Sequence, residues 1–141
     1  MFKTKFRWVI LIWLFIIYML AYFDRVNFSM AAPALIKEMS LSATQMGLIM
    51  SGFTVGYTVM NFPAGFIAEK YTARSIFTFT IVLWSLMTII TGVAWSFLSL
   101  IIIRIIFGMC EGPLTPCFTK LTNAWALPNE KATASGMWLA G

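Results

Sequence analysis

The sequence of 141 residues has no histidine, two cysteines and few charged side chains. Without histidine there is no Ser-His-Asp set, and no paired metal ligands appear, which disfavours an enzyme. Cys110 and Cys117 are separated by about 10 Å along a helix axis, too far for a disulfide within one regular helix. We interpret both as small apolar packing residues.

Charge is scarce for a protein of this length. Only 11% of the residues are charged and 60% are hydrophobic, whereas a soluble domain has about 25% charged residues. This composition excludes a water-soluble fold and predicts an all-α membrane protein in contact with the lipid bilayer. The chain also lacks a glycine-rich phosphate loop, a nicotinamide fingerprint and a nucleic-acid motif, so no nucleic acid or cofactor is expected.

Charge-free runs predict the helices. The run from Trp8 to Phe23 would rise about 24 Å, short of a ~30 Å hydrocarbon core, and the run from Val26 to Ile36 is shorter still. We therefore predict one long first helix that contains the intervening Asp24-Arg25 pair. The predicted helices cover residues 8–36, 44–68, 74–91 and 95–119, and a fifth, incomplete helix begins at 132–141.

The basic residues predict the orientation. With the N-terminus in the cytoplasm, the loops hold an excess of lysine and arginine inside, and only Lys37 lies outside. The inside residues are Lys3, Lys5, Arg7, Lys70, Arg74, Lys120 and Lys131. The N-terminal cations also fit a secretory signal peptide, but no small-residue cleavage site follows at the right distance, which favours an uncleaved helix.

Charges lie inside two of the predicted helices, where each costs roughly 3 kcal/mol on insertion scales. Arg104 and Glu111 are two helical turns apart on nearly the same face, and Arg25 lies near the midpoint of the first helix. These side chains, with Asp24, could meet at mid-membrane depth. Each acid could simply neutralise an arginine in a buried pair.

The presence of both arginines and acids inside the predicted helices also suggests a function. Arginine presents a planar donor fork suited to a carboxylate ligand, and a carboxyl group in an apolar environment can take up and release a proton. Two arginines with two protonatable acids suit proton-coupled transport of an organic anion.

The spacing Gly-x3-Gly occurs at 52–56 and at 108–112, and predicts close packing of helix backbones. Pro113 and Pro116 follow the second pair. They should bend or loosen the fourth helix beside Glu111.

Three motifs resemble a known family. They are Tyr22-Phe23-Asp24-Arg25-Val26-Asn27 with Ala31-Ala32-Pro33, Gly65-x3-Glu69-Lys70-x3-Arg74, and Arg104-x3-Gly108-x2-Glu111-Gly112-x3-Pro116. Together they resemble the anion:cation symporter branch of the major facilitator superfamily. Its members include bacterial galactonate, glucarate and hexuronate permeases, and animal sialin and vesicular glutamate transporters.

The resemblance implies a transporter of twelve helices in two six-helix halves, which alternate access around a central site. Residues 1–141 would then be a partial N-terminal transmembrane half, with helices 1–4 and the start of helix 5. We expect a multi-pass protein of the bacterial plasma (inner) membrane. At this length we also expect a fragment or a truncated, inactive permease, since the C-terminal half is needed for a complete pathway.

The resemblance also implies residue roles. Positions matching Arg25 and Arg104 bind the substrate carboxylate in the sugar-acid permeases, and those matching Asp24 and Glu111 take part in proton coupling. Tyr22, Asn27 and Tyr57 match positions near the substrate. From the residues alone, the tyrosines could equally be packing aromatics, and the asparagine an interhelical hydrogen-bonding group.

The loop after the second helix resembles the family's cytoplasmic gate. Gly65 would allow close backbone approach, Glu69 would pair across the gate, and Lys70 and Arg74 would fix the loop. Lys70 could instead be only a topogenic charge. The sequence departs from the family pattern by having Glu69 for aspartate, Thr72 for glycine, and Ala73 for a small or basic residue.

A different class of function remains open. A small membrane interaction protein could use the glycine faces to bind another subunit. Such a protein would not need proton-active acids, so neutralising Glu111 would leave its function intact.

Overall fold

The structure is a computed structural model that describes the backbone of residues 2–126 and 130–139, and the side chains of 7–126 and 130–136. All regular elements in these ranges are α-helices. They are α1 (Phe2–Glu38), α2 (Ala43–Lys70), α3 (Ala73–Gly92), α4 (Phe97–Glu111), α5 (Leu114–Trp125) and α6 (Lys131–Leu139). Helix α1 runs unbroken through Asp24 and Arg25, as the charge-free runs on either side predict.

Polar side chains mark where the helices begin. Ser42 starts α2 with a capping box, in which its hydroxyl accepts the Gln45 N–H at 3.1 Å and its own N–H donates to Gln45 Oε1 at 2.8 Å. Ser96 caps α4 in the same way, and Thr72 caps α3. These bonds satisfy N–H groups that the first turn leaves without intrahelical partners.

The helix predicted over residues 95–119 is divided in the structure. Helix α4 ends at Glu111, and α5 begins at Leu114 after a turn at Gly112 and Pro113. Proline has no N–H, so Pro113 cannot donate to the carbonyl four residues earlier. Pro116 lies in the first turn of α5, where a helical N–H needs no partner. The two prolines therefore separate α4 from α5 directly after Glu111.

Among the described residues, three helical stretches are long and apolar enough to cross a membrane: Arg7–Glu38, Ala73–Gly92 and Phe97–Trp125. The second predicted span corresponds to α2, which is 28 residues long but less apolar than these three. Its sequence explains the difference, because glycines and polar residues such as Thr54, Thr58 and Asn61 recur along it.

The described chain divides into two units, of which one comprises residues 32–117. Within it, α4 packs against both α2 and α3. Ile49 of α2 and Leu100 of α4 are completely buried, and the rings of Phe53 and Phe107 lie 5.9 Å apart. Close van der Waals packing of these side chains around α4 stabilises the unit.

Glycines allow α2 and α4 to touch at the backbone, which confirms the packing role predicted from their spacing. A Cβ added at Gly108 would lie 2.7 Å from the Tyr57 amide nitrogen, and one at Gly56 would lie 2.8 Å from the Ile105 carbonyl carbon. At Gly112 it would approach Met60 Cβ to 3.0 Å. Larger residues at these positions would push the helices apart.

The other unit comprises residues 1–31 and 118–141. Helix α1 buries one stripe here, formed by Leu11, Leu14, Ala21 and Phe28. The ring of Tyr18, on the same stripe, meets Phe118 edge-on at 5.6 Å. Near the ends of this unit, Arg7 forms a salt bridge of 3.3 Å with Glu130.

Candidate functional site

Helix α4 carries a buried cation and a buried acid. Arg104 is 6% exposed and Glu111 is 1% exposed. They share the buried face of α4 with Leu100, Phe107 and Gly108, because steps of three and four residues keep side chains on one side of a helix. The spacing of the two charged residues predicts this common face, about 10 Å apart along the axis.

The surroundings of Arg104 are largely apolar. Its guanidinium carbon lies 5.3 Å from the centre of the Phe107 ring, within the range of a cation–π interaction. Charges in such surroundings interact over longer distances than they do in water. The buried face of α4 therefore carries a cation and an acid in surroundings where their charges are weakly screened.

Tyr57 of α2 forms a polar contact with α5. Its hydroxyl forms a short hydrogen bond with the Thr115 hydroxyl, and its ring stacks on Phe53 with the centres 6.0 Å apart. The sequence reasoning named Tyr57 but missed Thr115. Thr115 follows Glu111 by four residues, and this helical spacing would have placed the two side chains on one face. Pro113 lies between them, so a continuous helix could not be assumed.

Arg25 and Tyr22 are neighbours on α1. Arg25 is half-buried and continues the stripe of Ala21 and Phe28, and its guanidinium carbon lies 5.6 Å from the centre of the Tyr22 ring. At this distance the ring of Tyr22 can restrict the position of the Arg25 side chain. Asp24 is half-buried, whereas Asn27 is exposed.

The predicted site residues fall into both units. Tyr22, Asp24, Arg25 and Asn27 belong to the unit of residues 1–31 and 118–141, and Tyr57, Arg104 and Glu111 belong to the unit of residues 32–117. Within each unit the structure brings a cation close to an aromatic ring. A meeting of Arg25 with Arg104 and Glu111 remains a prediction.

The predicted gate loop joins α2 to α3. Glu69, Lys70 and Arg74 are exposed, and an added Cβ at Gly65 meets no atom of the described chain within 4 Å. Thr72, which departs from the family pattern, has extended backbone angles of φ −71° and ψ 142°, and its hydroxyl accepts the Ser75 N–H. The turn therefore does not need glycine at this position, because threonine caps α3 there.

No cluster of three or more histidine, cysteine, aspartate or glutamate side chains that could hold a metal ion occurs among the described residues.

Comparison with known proteins relates this arrangement to transporters. The chain is 39% identical over 138 residues to the hexuronate transporter of Bacillus subtilis, covering 98% of this chain and 33% of the relative. It is 33% identical over 138 residues to a probable galactarate/D-glucarate transporter of Escherichia coli K12, covering 94% and 31%. The chain thus spans about a third of the length of these curated relatives.

A solved structure supports the fold. A bacterial homologue of the human lysosomal transporter Spinster, in an inward-facing and occupied conformation, matches with a TM-score of 0.85 and 29% identity. The match covers 94% of this chain and 29% of that protein. It confirms the prediction of an all-α, integral membrane fold. Since the sequence model of the Major Facilitator Superfamily matches residues 14–141, the chain belongs to that family.

Proposed function

We propose that this chain forms part of a transporter that carries an organic anion, such as a sugar acid, together with protons by alternating access. The observation that carries the proposal is the burial of Arg104 and Glu111 on one face of the apolar helix α4. Such residues are costly in a membrane and usually mark a site or a pathway. The hexuronate and galactarate/D-glucarate transporters among the relatives support an acidic sugar as the substrate class.

In this proposal Arg25 and Arg104 bind the substrate carboxylate. A guanidinium group can donate two parallel hydrogen bonds to a carboxylate, which fixes the orientation of the anion as well as its charge. Tyr22, Asn27 and Tyr57 would contact the rest of the substrate. The contact of Tyr22 with Arg25 and the bond of Tyr57 to Thr115 support these roles, because both position polar groups in advance.

Asp24 and Glu111 carry the coupled protons in this proposal. Glu111 is the last residue of α4 and directly precedes the turn at Gly112 and Pro113. A helix end beside a proline turn can change its angle with little loss of hydrogen bonding, because the turn has already given up helical bonds. Protonation of Glu111 could therefore be linked to movement of α5 relative to α4.

The proposed topology follows the positive-inside rule, with the N-terminus in the cytoplasm of a bacterium and the protein in its plasma membrane. The loop at the end of α2 would then lie at the cytoplasmic gate. Glu69, Lys70 and Arg74 would hold the outward-facing state through charged contacts, and Gly65 would admit a neighbouring helix. The exposure of these three charged side chains leaves them available for such contacts.

The glycine arrangement disfavours the alternative of a small interaction protein. That alternative needs the glycine faces of α2 and α4 to receive another subunit, but Gly56 and Gly108 already lie against the opposing helix of this chain. We also propose that the protein is not an enzyme, in keeping with its transporter relatives.

Proton coupling can be tested in a chimera, since the relatives are about three times as long as this chain. Residues 1–141 would replace the matching segment of the Bacillus subtilis hexuronate transporter, and uptake of labelled hexuronate would be measured in proteoliposomes. We expect uptake to increase with an inward proton gradient, because inward proton flow supplies the energy for accumulation.

The unmodified hexuronate transporter reconstituted at the same density serves as the control. Binding of hexuronate by the purified chimera shows that its site is folded. If a binding-competent chimera takes up hexuronate at a rate indifferent to pH and to an uncoupler, proton symport is wrong.

Conservative replacement of the arginines tests their role in anion binding. Arg25→Lys and Arg104→Lys should each weaken hexuronate binding by the chimera roughly tenfold or more, because a charged hydrogen bond contributes about 1.5–3 kcal/mol and lysine cannot reproduce the two-pronged geometry. The dissociation constants would be measured by isothermal titration. Arg7→Lys is the matched control, because Arg7 pairs with Glu130. Unchanged affinity in either test variant would remove that arginine from the binding site.

A further inference from the structure

A separate cavity of about 460 Å³ lies in the unit of residues 32–117. It is formed by the C-terminal half of α2, the N-terminal half of α3, and Pro113. Its size is within the range of small-molecule binding pockets, about 300–1,000 Å³. None of the proposed substrate or proton residues lines this cavity.

The cavity extends along the helix axes. On α2 its walls reach from Met60 to Ile67, and the flanking Tyr71 also contributes, so they follow the helix for at least about 10 Å. On α3 the walls reach from Ser75 to Thr80. One end therefore lies at the loop between the two helices, and the other lies deeper in the bundle.

The two ends differ in chemistry. The deeper walls are mainly apolar, with Ile76 buried and Phe79 66% exposed. At the loop end, the Lys70 ammonium lies 5.9 Å from the centre of the Tyr71 ring, and Arg74 directly precedes Ser75. Both cations are exposed. The exposed Glu69 is nearby in sequence, so this segment carries one net positive charge.

We propose that the cavity binds one acyl chain of an anionic phospholipid, with the phosphate group at Lys70 and Arg74. Helix α3 is apolar and long enough to span the bilayer, so an open apolar groove along it borders the acyl chains. Tyrosine is favoured at the membrane interface, and basic pockets at helix ends bind anionic headgroups. The cations at one end and the apolar cavity behind them match the charged headgroup and the acyl chain of an anionic phospholipid. This proposal does not depend on the transport function.

The charge part of the proposal is tested by native mass spectrometry of the full 141-residue chain in detergent. Phosphatidylglycerol should bind more tightly than phosphatidylcholine with the same acyl chains. Lys70→Gln and Arg74→Gln should each lower the affinity for phosphatidylglycerol about fivefold, the effect of one basic residue at an anionic surface. Lys37→Gln removes an exposed cation elsewhere and should have no effect. Equal binding of both lipids by the unmodified chain would overturn the proposal.

The cavity part is tested with a matched pair of substitutions on α3. Ser75→Phe places a ring in the cavity and should reduce phosphatidylglycerol binding at least about fourfold, the loss expected when one acyl methylene is displaced from an apolar site. Thr78→Phe adds the same ring at an exposed residue outside the cavity and should not reduce it. Circular dichroism of both variants shows whether the helices remain. If Ser75→Phe retains its helices and binds phosphatidylglycerol as tightly as the unmodified chain, the cavity does not hold a lipid. The same conclusion follows if Ser75→Phe disrupts a dimer of the chain, because a second copy would then occupy the cavity.

Discussion

Replacement of Gly108 by alanine is expected to lower the free energy of unfolding by about 1–3 kcal/mol, the usual cost of overpacking a well-packed contact. The added Cβ would lie 2.7 Å from the Tyr57 amide nitrogen, and a helix backbone cannot rotate away as a flexible side chain can. The α2 and α4 helices must therefore separate along their contact. Thermal unfolding in detergent, followed by circular dichroism, measures the loss.

Gly47→Ala is the matched control within the same helix pair. A Cβ at Gly47 meets no atom of the described residues within 4 Å, so the substitution should leave stability unchanged or raise it by up to about 1 kcal/mol through the better helix propensity of alanine. If Gly108→Ala and Gly47→Ala unfold at the same temperature, the close contact between α2 and α4 is wrong. The comparison isolates the contact, because both substitutions add one methyl group to a helical glycine.

Replacement of Glu111 by glutamine is expected to abolish proton-driven accumulation of substrate while exchange of bound substrate survives. Glutamine preserves the shape and hydrogen-bonding groups of a protonated glutamate but cannot release a proton. In proteoliposomes containing the hexuronate transporter chimera, internal substrate should reach only the external concentration under a proton gradient, and counterflow should continue.

Glu38→Gln provides the control, since Glu38 is an exposed acid at the end of α1 and should retain accumulation. Two results would contradict the assignment of Glu111. Full accumulation by Glu111→Gln would show that another group carries the proton. Loss of both exchange and accumulation in a folded variant would assign Glu111 to substrate binding or packing instead.

Several parts of the fold were predictable because they depend on neighbouring residues in the chain. The run of apolar residues on both sides of Asp24 and Arg25 predicts a single helix, and α1 is continuous through both. The spacing of Arg104 and Glu111 predicts a common face, and both are buried on α4. In a regular helix, the number of residues between two positions determines whether their side chains lie on the same face.

Other features escaped the sequence reasoning. The prolines predicted a bend in a fourth helix over residues 95–119, but not the turn at Gly112 and Pro113 that separates α4 from α5 within the stretch Phe97–Trp125. Helical spacing relates Thr115 to Glu111, but no local pattern indicates the bond of Thr115 to Tyr57, because these two residues are 58 positions apart. Thr72 stands where the family pattern has glycine, and the cap that its hydroxyl provides for α3 was not predicted. The role of a residue in a turn depends on which N–H groups lie within its reach.

Composition and helical periodicity are sufficient to establish an apolar, all-α membrane chain with charges on particular helix faces, because both act through each residue and its near neighbours. Only the packed structure decides that Gly56 and Gly108 serve the contact between α2 and α4, and that an apolar cavity forms beside α3. Spacing shows that a glycine face exists, but not what lies against it. The partner is decided by the approach of backbones distant in sequence, since their shapes must fit at atomic distances.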